Sequence, residues 1–287
     1  MQDQKNAPID KATIDKIVLP EMGIGIREVT FEITNACNLR CVHCYAESDS
    51  RSGSKDKVTE KRWKELLNEA IELGTTNVQI SGGEPSMNPY AGELLKYARN
   101  LGFKMVKLYT NGLHISDKLL DDVKEADALV KVTFFSYDPA VHDKITTVNG
   151  SHGRTSANIR RMNERGIKLR AGIVLTPFNN FDGNLEKTIK YLNGLGVKDI
   201  RHDYMHGVGR GYEILQQDGY SALCGMCWTG KLAIDSEGYV HPCVMSRFVN
   251  LGNITEQTLV EILDNPELMN FRKTIYAKFG DLRKDKK

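Results

Sequence analysis

Cys37, Cys41 and Cys44 form a C-x3-C-x2-C run, Cys37-Asn-Leu-Arg-Cys41-Val-His-Cys44, just after a short apolar stretch. Three thiolates crowded into so short a segment suit one face of a [4Fe–4S] cube, holding three irons and leaving the fourth open. An open iron can take a small chelating ligand, which turns an electron-transfer centre into a reaction site. A zinc site competes, but closed zinc sites need a fourth ligand and favour paired C-x2-C hooks. A second group, Cys224, Cys227 and Cys243, pairs a C-x2-C hook with one later cysteine. On spacing alone it reads either as another iron–sulfur site or as a zinc knuckle completed by His241.

The cysteine run has a companion. Gly82-Gly83-Glu84-Pro85 follows the apolar run Asn77-Val-Gln-Ile-Ser81. Gly-Gly before Pro is an ordinary turn signal by itself. About 40 residues beyond the triplet and directly after a strand, it becomes specific. Together these motifs resemble the radical S-adenosylmethionine (SAM) enzymes, over about residues 26–275. The resemblance implies that Cys37, Cys41 and Cys44 bind a [4Fe–4S] cluster whose open iron is chelated by SAM. The backbone of Gly82, Gly83 and Pro85, with Glu84, would receive the methionyl amine. His43 fills the position before the last cysteine, which is usually aromatic in that family. Reductive cleavage of SAM would then give a 5′-deoxyadenosyl radical that abstracts a substrate hydrogen, with electrons from a flavodoxin- or ferredoxin-type reductant. Further SAM contacts are implied at Asn111, Ser136 and Gly172. Relatives carry an Arg ten residues after the serine; this chain has Thr146 there, and Arg154 is the candidate to replace it.

The elements that must position these residues alternate. Strands are predicted at 28–34, 77–81, 104–110, 129–135, 168–176 and 198–204, with helices at 58–73, 90–101, 116–126, 154–165 and 183–195 between them. Six such units give a parallel α/β sheet, and ligands on such sheets bind beyond the carboxyl ends of the strands. Periodicity does not separate a barrel-like from a doubly wound sheet; the resemblance implies a partial (β/α)6 TIM-like barrel. The predicted organisation is an N-terminal extension (1–25), the radical SAM core (26–205), a linker (206–221), and a C-terminal domain with its tail (222–287).

The composition is that of an ordinary soluble chain: 40% apolar, 26% charged, net charge +2 over 287 residues. Nothing in it calls for a nucleic-acid or membrane surface. There is no secretory signal in the polar N-terminus, no apolar span, and no disulfide-like cysteine framework, which fits a reducing cytoplasm. The basic end Arg283-Lys-Asp-Lys-Lys287 reads as a solvated tail.

The second cysteine block, with Arg247 after it, resembles the SPASM/twitch extension of radical SAM enzymes. Asp235-Ser-Glu-Gly238 is a hairpin signal that would return Cys243 to the C-x2-C hook. The resemblance implies a second, auxiliary [4Fe–4S] cluster on Cys224, Cys227 and Cys243. No cysteine follows Cys243, so the shortened twitch form is expected, ending in an amphipathic helix over about 256–275. With all six cysteines allotted to clusters, no free thiol remains to quench a substrate radical. Oxidative chemistry is therefore expected over epimerisation.

The expected substrate is a ribosomally synthesised peptide, modified by crosslinking or other C–H functionalisation. The alternatives are a small-molecule dehydrogenase acting on an amino sugar or cyclitol, and a non-enzymatic iron–sulfur scaffold or redox regulator. Only 36 residues precede Cys37, so a leader is expected either to need a separate leader-binding protein or to dock directly. Gly207, Gly209 and Gly211 around Arg210 read either as an anion-receptive turn or as a flexible linker. No residue is singled out as a catalytic base. His114, His142 and His152 have the bland reading of satisfied surface or core side chains.

Overall fold

The computed structural model describes residues 25–280, so the expectations for residues 1–24 and for the basic end 283–287 fall outside it. Strands β1 (Glu28–Glu32), β2 (Asn77–Ser81), β3 (Met105–Thr110), β4 (Leu129–Phe134), β5 (Leu169–Leu175) and β6 (Asp199–Tyr204) lie within two residues of the expected stretches. Helices α1 (Glu60–Glu72), α2 (Ala91–Asn100), α3 (Asp117–Glu125), α5 (Ser151–Glu164) and α6 (Asn184–Gly194) fall between them. Helix α4 (Pro139–Thr146) was not expected. Its start is nevertheless written in the chain: the Asp138 side chain accepts from Ala140 N, and Pro139 sits where a missing N–H costs nothing.

Strands β1 to β6 are all parallel and pair in sequence order, the expected partial (β/α)6 barrel, open rather than closed. Period-two alternation divides the faces of the sheet. Val29 and Phe31 of β1 turn into the helical layer, where Phe31 lies 5.1 Å from the Trp63 ring of α1, both fully buried. Each such buried side chain stabilises the fold by about 1.5–3 kcal/mol. The other face is polar. Glu28 of β1 pairs with Lys107 of β3, Lys131 of β4 donates to Tyr109 Oη at 2.6 Å, and Arg170 of β5 pairs with Asp199 of β6 at 2.6 Å. At Gly172 on β5 a side chain would meet nothing within 4 Å, so this inner face has open space above it.

After β6 come a one-turn helix α7 (Tyr212–Leu215), strands β7 (Lys231–Ile234), β8 (Tyr239–His241) and β9 (Gly252–Asn253), and helices α8 (Leu259–Leu263) and α9 (Pro266–Phe279). Strand β7 pairs in parallel with β1, and β8 returns antiparallel to β7. The C-terminal hairpin therefore continues the core sheet past β1, while β6 is the opposite edge. The single helix expected over 256–275 is two. Asp264 ends the first and Asn265 caps the second, its side chain accepting from Glu267 N, and Pro266 opens α9. Among the described residues no helix is long and apolar enough to cross a membrane.

This topology separates the two cysteine groups. Cys37, Cys41 and Cys44 follow β1, at the carboxyl end of the parallel strands. Cys224 and Cys227 precede β7 and Cys243 follows antiparallel β8, which puts that group at the amino end.

Candidate functional site: two cysteine groups at opposite ends of one sheet

The loop after β1 is seated on the GGEP segment by backbone contacts that only glycine permits. Gly83 N donates to Thr34 O at 2.7 Å and Glu84 N to Ala36 O at 2.8 Å. A Cβ on Gly82, whose φ is +131°, would overlap the Thr34 carbonyl oxygen, and one on Gly83 would lie 2.7 Å from the Ala36 carbonyl carbon. Glu84 itself is fully buried and turned inward. Its carboxylate accepts from Thr110 Oγ1 at 2.7 Å, Asn111 N at 2.7 Å and Ser86 N at 3.0 Å. Burial raises its pKa, and these donors oppose the rise. Glu84 thus ties the GGEP turn to the end of β3.

Asn111 joins the same constellation. Its Nδ2 donates to Asn38 Oδ1 at 2.8 Å and lies 3.7 Å from Cys37 Sγ. Burial pushes the Cys37 thiol up to about 12, and Cys41 is driven up as well, in part by its neighbours Cys37 and Cys44. Burial thus disfavours the free thiolates of Cys37 and Cys41. Among the described residues no three His, Cys, Asp or Glu close on a point tightly enough for a single metal ion. Three thiols without histidine or carboxylate fit a group of several irons better than one ion. His43 packs edge-on to Phe135 at 5.2 Å, its buried Nδ1 has no hydrogen-bond partner, and burial lowers its pKa to about 4.

Of three other expected positions, two have protein partners. Ser136 is fully buried, donating to Asn184 Oδ1 at 2.7 Å and accepting from Asp138 N at 3.1 Å. Arg154 is exposed and donates to the carbonyls of Gly150 and Asn149 at the start of its own helix. Gly172 lies on the open inner face, away from the GGEP turn in sequence and at mid-strand. His142 and His152 are core residues packed around Phe134, at 4.7 and 5.3 Å.

At the opposite end, the hairpin returns Cys243 to the hook as expected: its Sγ lies 2.9 Å from that of Cys227. Hydrogen bonding among the three thiols raises the pKa of Cys227 and lowers those of Cys224 and Cys243. His241 does not complete a zinc set. Nδ1 is 2.8 Å from Val249 O and Nε2 3.3 Å from Asp235 Oδ2, so both nitrogens are occupied. That leaves a three-thiol donor set here too.

A buried polar bridge missed by the sequence reading joins the two ends. Tyr45, next to Cys44, donates to Glu32 Oε1 at 2.6 Å, and Arg247, four residues after Cys243, pairs with Glu32 Oε2. The Arg247 guanidinium also lies 5.4 Å from the Tyr45 ring centroid and 3.8 Å from Asp235. Its sequence cues were Arg247 after the second cysteine block and a glutamate in the alternation of β1 on the polar face.

Comparison with known proteins agrees with this architecture. The profile of the Radical SAM superfamily matches residues 31–192, over half of the chain. The chain belongs to the radical SAM superfamily. Residues 218–285 match the SPASM iron-sulfur cluster-binding domain. The cofactors of this radical SAM protein are accordingly SAM, a [4Fe–4S] cluster and an auxiliary iron–sulfur centre. It is 25% identical over 271 residues to the antilisterial bacteriocin subtilosin biosynthesis protein AlbA of Bacillus subtilis (strain 168), covering 83% of this chain and 59% of AlbA. It is 24% identical to the AdoMet-dependent heme synthase of Methanosarcina barkeri, covering 86% and 84% of the two chains. The chain thus spans less than two thirds of AlbA's length. Among solved structures, SuiB of Streptococcus suis bound to the precursor peptide SuiA superposes with a TM-score of 0.72, at 17% identity, over 88% of this chain and 69% of SuiB.

Proposed function

We propose that this chain is a peptide-modifying radical SAM enzyme in which Cys37, Cys41 and Cys44 hold the SAM-binding cluster and Cys224, Cys227 and Cys243 the auxiliary one. The observation that carries the reading is the placement of the two thiol groups at opposite ends of one sheet, with a polar, partly open inner face between them. Strand β1 has five residues and so spans about 16 Å, room for a substrate segment between the centres. When bound, the cluster and SAM supply a 5′-deoxyadenosyl radical able to take a hydrogen atom from unactivated carbon.

The chain's own residues do the rest. The backbone of Gly82 and Gly83 offers close approach to an amine, and Asn111 braces Cys37. Lys131, Arg170 and the other inner-face side chains line the space where a peptide would lie. The open edge at β6, with Tyr204 62% exposed, is the side from which an extended chain can enter. All six cysteines are free of disulfides, which supports a reducing, cytoplasmic setting and leaves no spare thiol to return a hydrogen atom. An oxidative ending fits this, since Cys224, Cys227 and Cys243 would hold a centre able to accept an electron. A flavodoxin- or ferredoxin-type protein is the proposed reductant and a separate leader-binding protein the proposed escort. The bacteriocin-biosynthesis relative and the fold shared with a precursor-peptide complex support the peptide assignment.

A second reading, a small-molecule substrate, is favoured by the heme synthase relative, which matches over more of its own length. The test is anaerobic incubation with SAM and a reductant. Release of 5′-deoxyadenosine by the wild type, abolished in Cys41→Ala, is expected. Deuterium moving into 5′-deoxyadenosine from a labelled precursor peptide supports the peptide substrate; transfer only from a small molecule refutes it.

A further inference from the structure

The glycine-rich segment after β6 packs closely on the cysteine loop. Gly209, with φ +56°, sits so close to the cysteine loop that a Cβ would lie 2.5 Å from Tyr45 O and 2.6 Å from Cys44 O. Gly207 approaches the Gln217 backbone in the same way, and His206 Nδ1 lies 2.9 Å from Ala222 O. The segment is folded tightly against itself and against the loop.

Arg210 is the centre of this contact. Its backbone N donates to Cys44 O at 3.0 Å, its Nε to Cys41 O at 2.9 Å and its Nη2 to Ser48 O at 2.9 Å. All three acceptors are main-chain carbonyls of the cysteine loop. A guanidinium holds its donors in a rigid plane, so two side-chain bonds plus one backbone bond fix both the distance and the orientation of the loop. No carboxylate pairs with Arg210 in an ion pair among the described residues, so the fork is committed to this loop rather than to an acidic side chain. From the other side the loop is held by Tyr45 on Glu32.

We propose that Arg210 is a positioning residue for the SAM-binding cluster: it sets where Cys41 and Cys44 point. The proposal rests on the assignment of Cys37, Cys41 and Cys44 as ligands of that cluster.

The test uses the full-length, anaerobically reconstituted protein, wild type and Arg210→Lys and Arg210→Gln. The readouts are iron per chain and the EPR spectrum and midpoint potential of the SAM-responsive cluster, with circular dichroism as the check of fold. Lysine keeps the positive charge and stem but cannot make two coplanar bonds. Both variants are expected to retain the fold and bind iron, to lose the SAM-induced change in the EPR spectrum, and to shift the midpoint potential together. A wild-type spectrum and potential in Arg210→Gln overturn the proposal. A wild-type response in Arg210→Lys alone also overturns it, since charge and not geometry would then be what matters. Should Arg210→Gln not fold, Arg210→Lys decides by the same readouts. If the wild type itself shows no SAM-responsive signal, the ligand assignment fails instead, which separates the two claims.

Discussion

His142 shows how a single buried side chain ties stability to pH. Burial, then the neighbouring His152, lowers its pKa from 6.5 to about 3. The neutral form is kept in the folded chain while the unfolded chain binds a proton below pH 6.5. The stability it supports is therefore present above pH 6.5 and is lost as pH falls towards 3, at about 1.4 kcal/mol per pH unit for one such group. Denaturant melts between pH 7 and 5 should show this slope in the wild type and a shallower one in His142→Leu. Glu84 makes a second case. Its three donors need an acceptor-only side chain, and Glu84→Gln turns an amide N–H₂ towards them. The change should cost on the order of 1–3 kcal/mol in a chemical melt, while Ser86→Ala, which keeps the backbone donor, should cost less. At this scale the sequence was legible for the cysteines and for Gly82–Pro85, whose spacing is specific. The partners of Ser136 and Arg154, Asn184 and the Gly150 carbonyl, are set by helix packing that no motif encodes.

At the scale of elements, the joint between the loop after β1 and the GGEP turn is the most constrained contact in the site. Gly83→Ala would push a methyl group into the Ala36 carbonyl, and overpacking of this kind costs about 1–3 kcal/mol. Because the two partners carry the cysteines and the amine-facing backbone, SAM affinity measured by equilibrium dialysis should fall more than the melting temperature does. Gly194→Ala, at the last residue of α6 where a Cβ meets nothing within 4 Å, is the control and should leave SAM affinity unchanged. Strands and most helices were legible because alternation and 3.6-residue periodicity are local. Helix α4 was passed over because eight residues after a strand leave too short a window for a period, although Asp138-Pro139 was a valid start signal. The break between α8 and α9 was also signalled, by Asn265-Pro266, inside an apolar pattern that otherwise reads as continuous.

For the whole molecule, the decisive feature is that β7 joins the core sheet beside β1. This one parallel pairing places the second cysteine group opposite the first and lets Arg247 reach Glu32 across 215 residues of chain. No local pattern announces a strand pairing of that sequence separation, which is why the hairpin was legible and its docking was not. The same pairing makes the two centres a single arrangement, so the account stands or falls on both being iron–sulfur sites. The most direct test is iron and sulfide per chain after anaerobic reconstitution, for wild type and for a Cys224/Cys227/Cys243→Ala variant. About eight irons falling to about four is the predicted result, with SAM cleavage retained in the variant but product formation lost. A wild-type count of about four with zinc at the second site would contradict the account and make that end of the sheet purely structural.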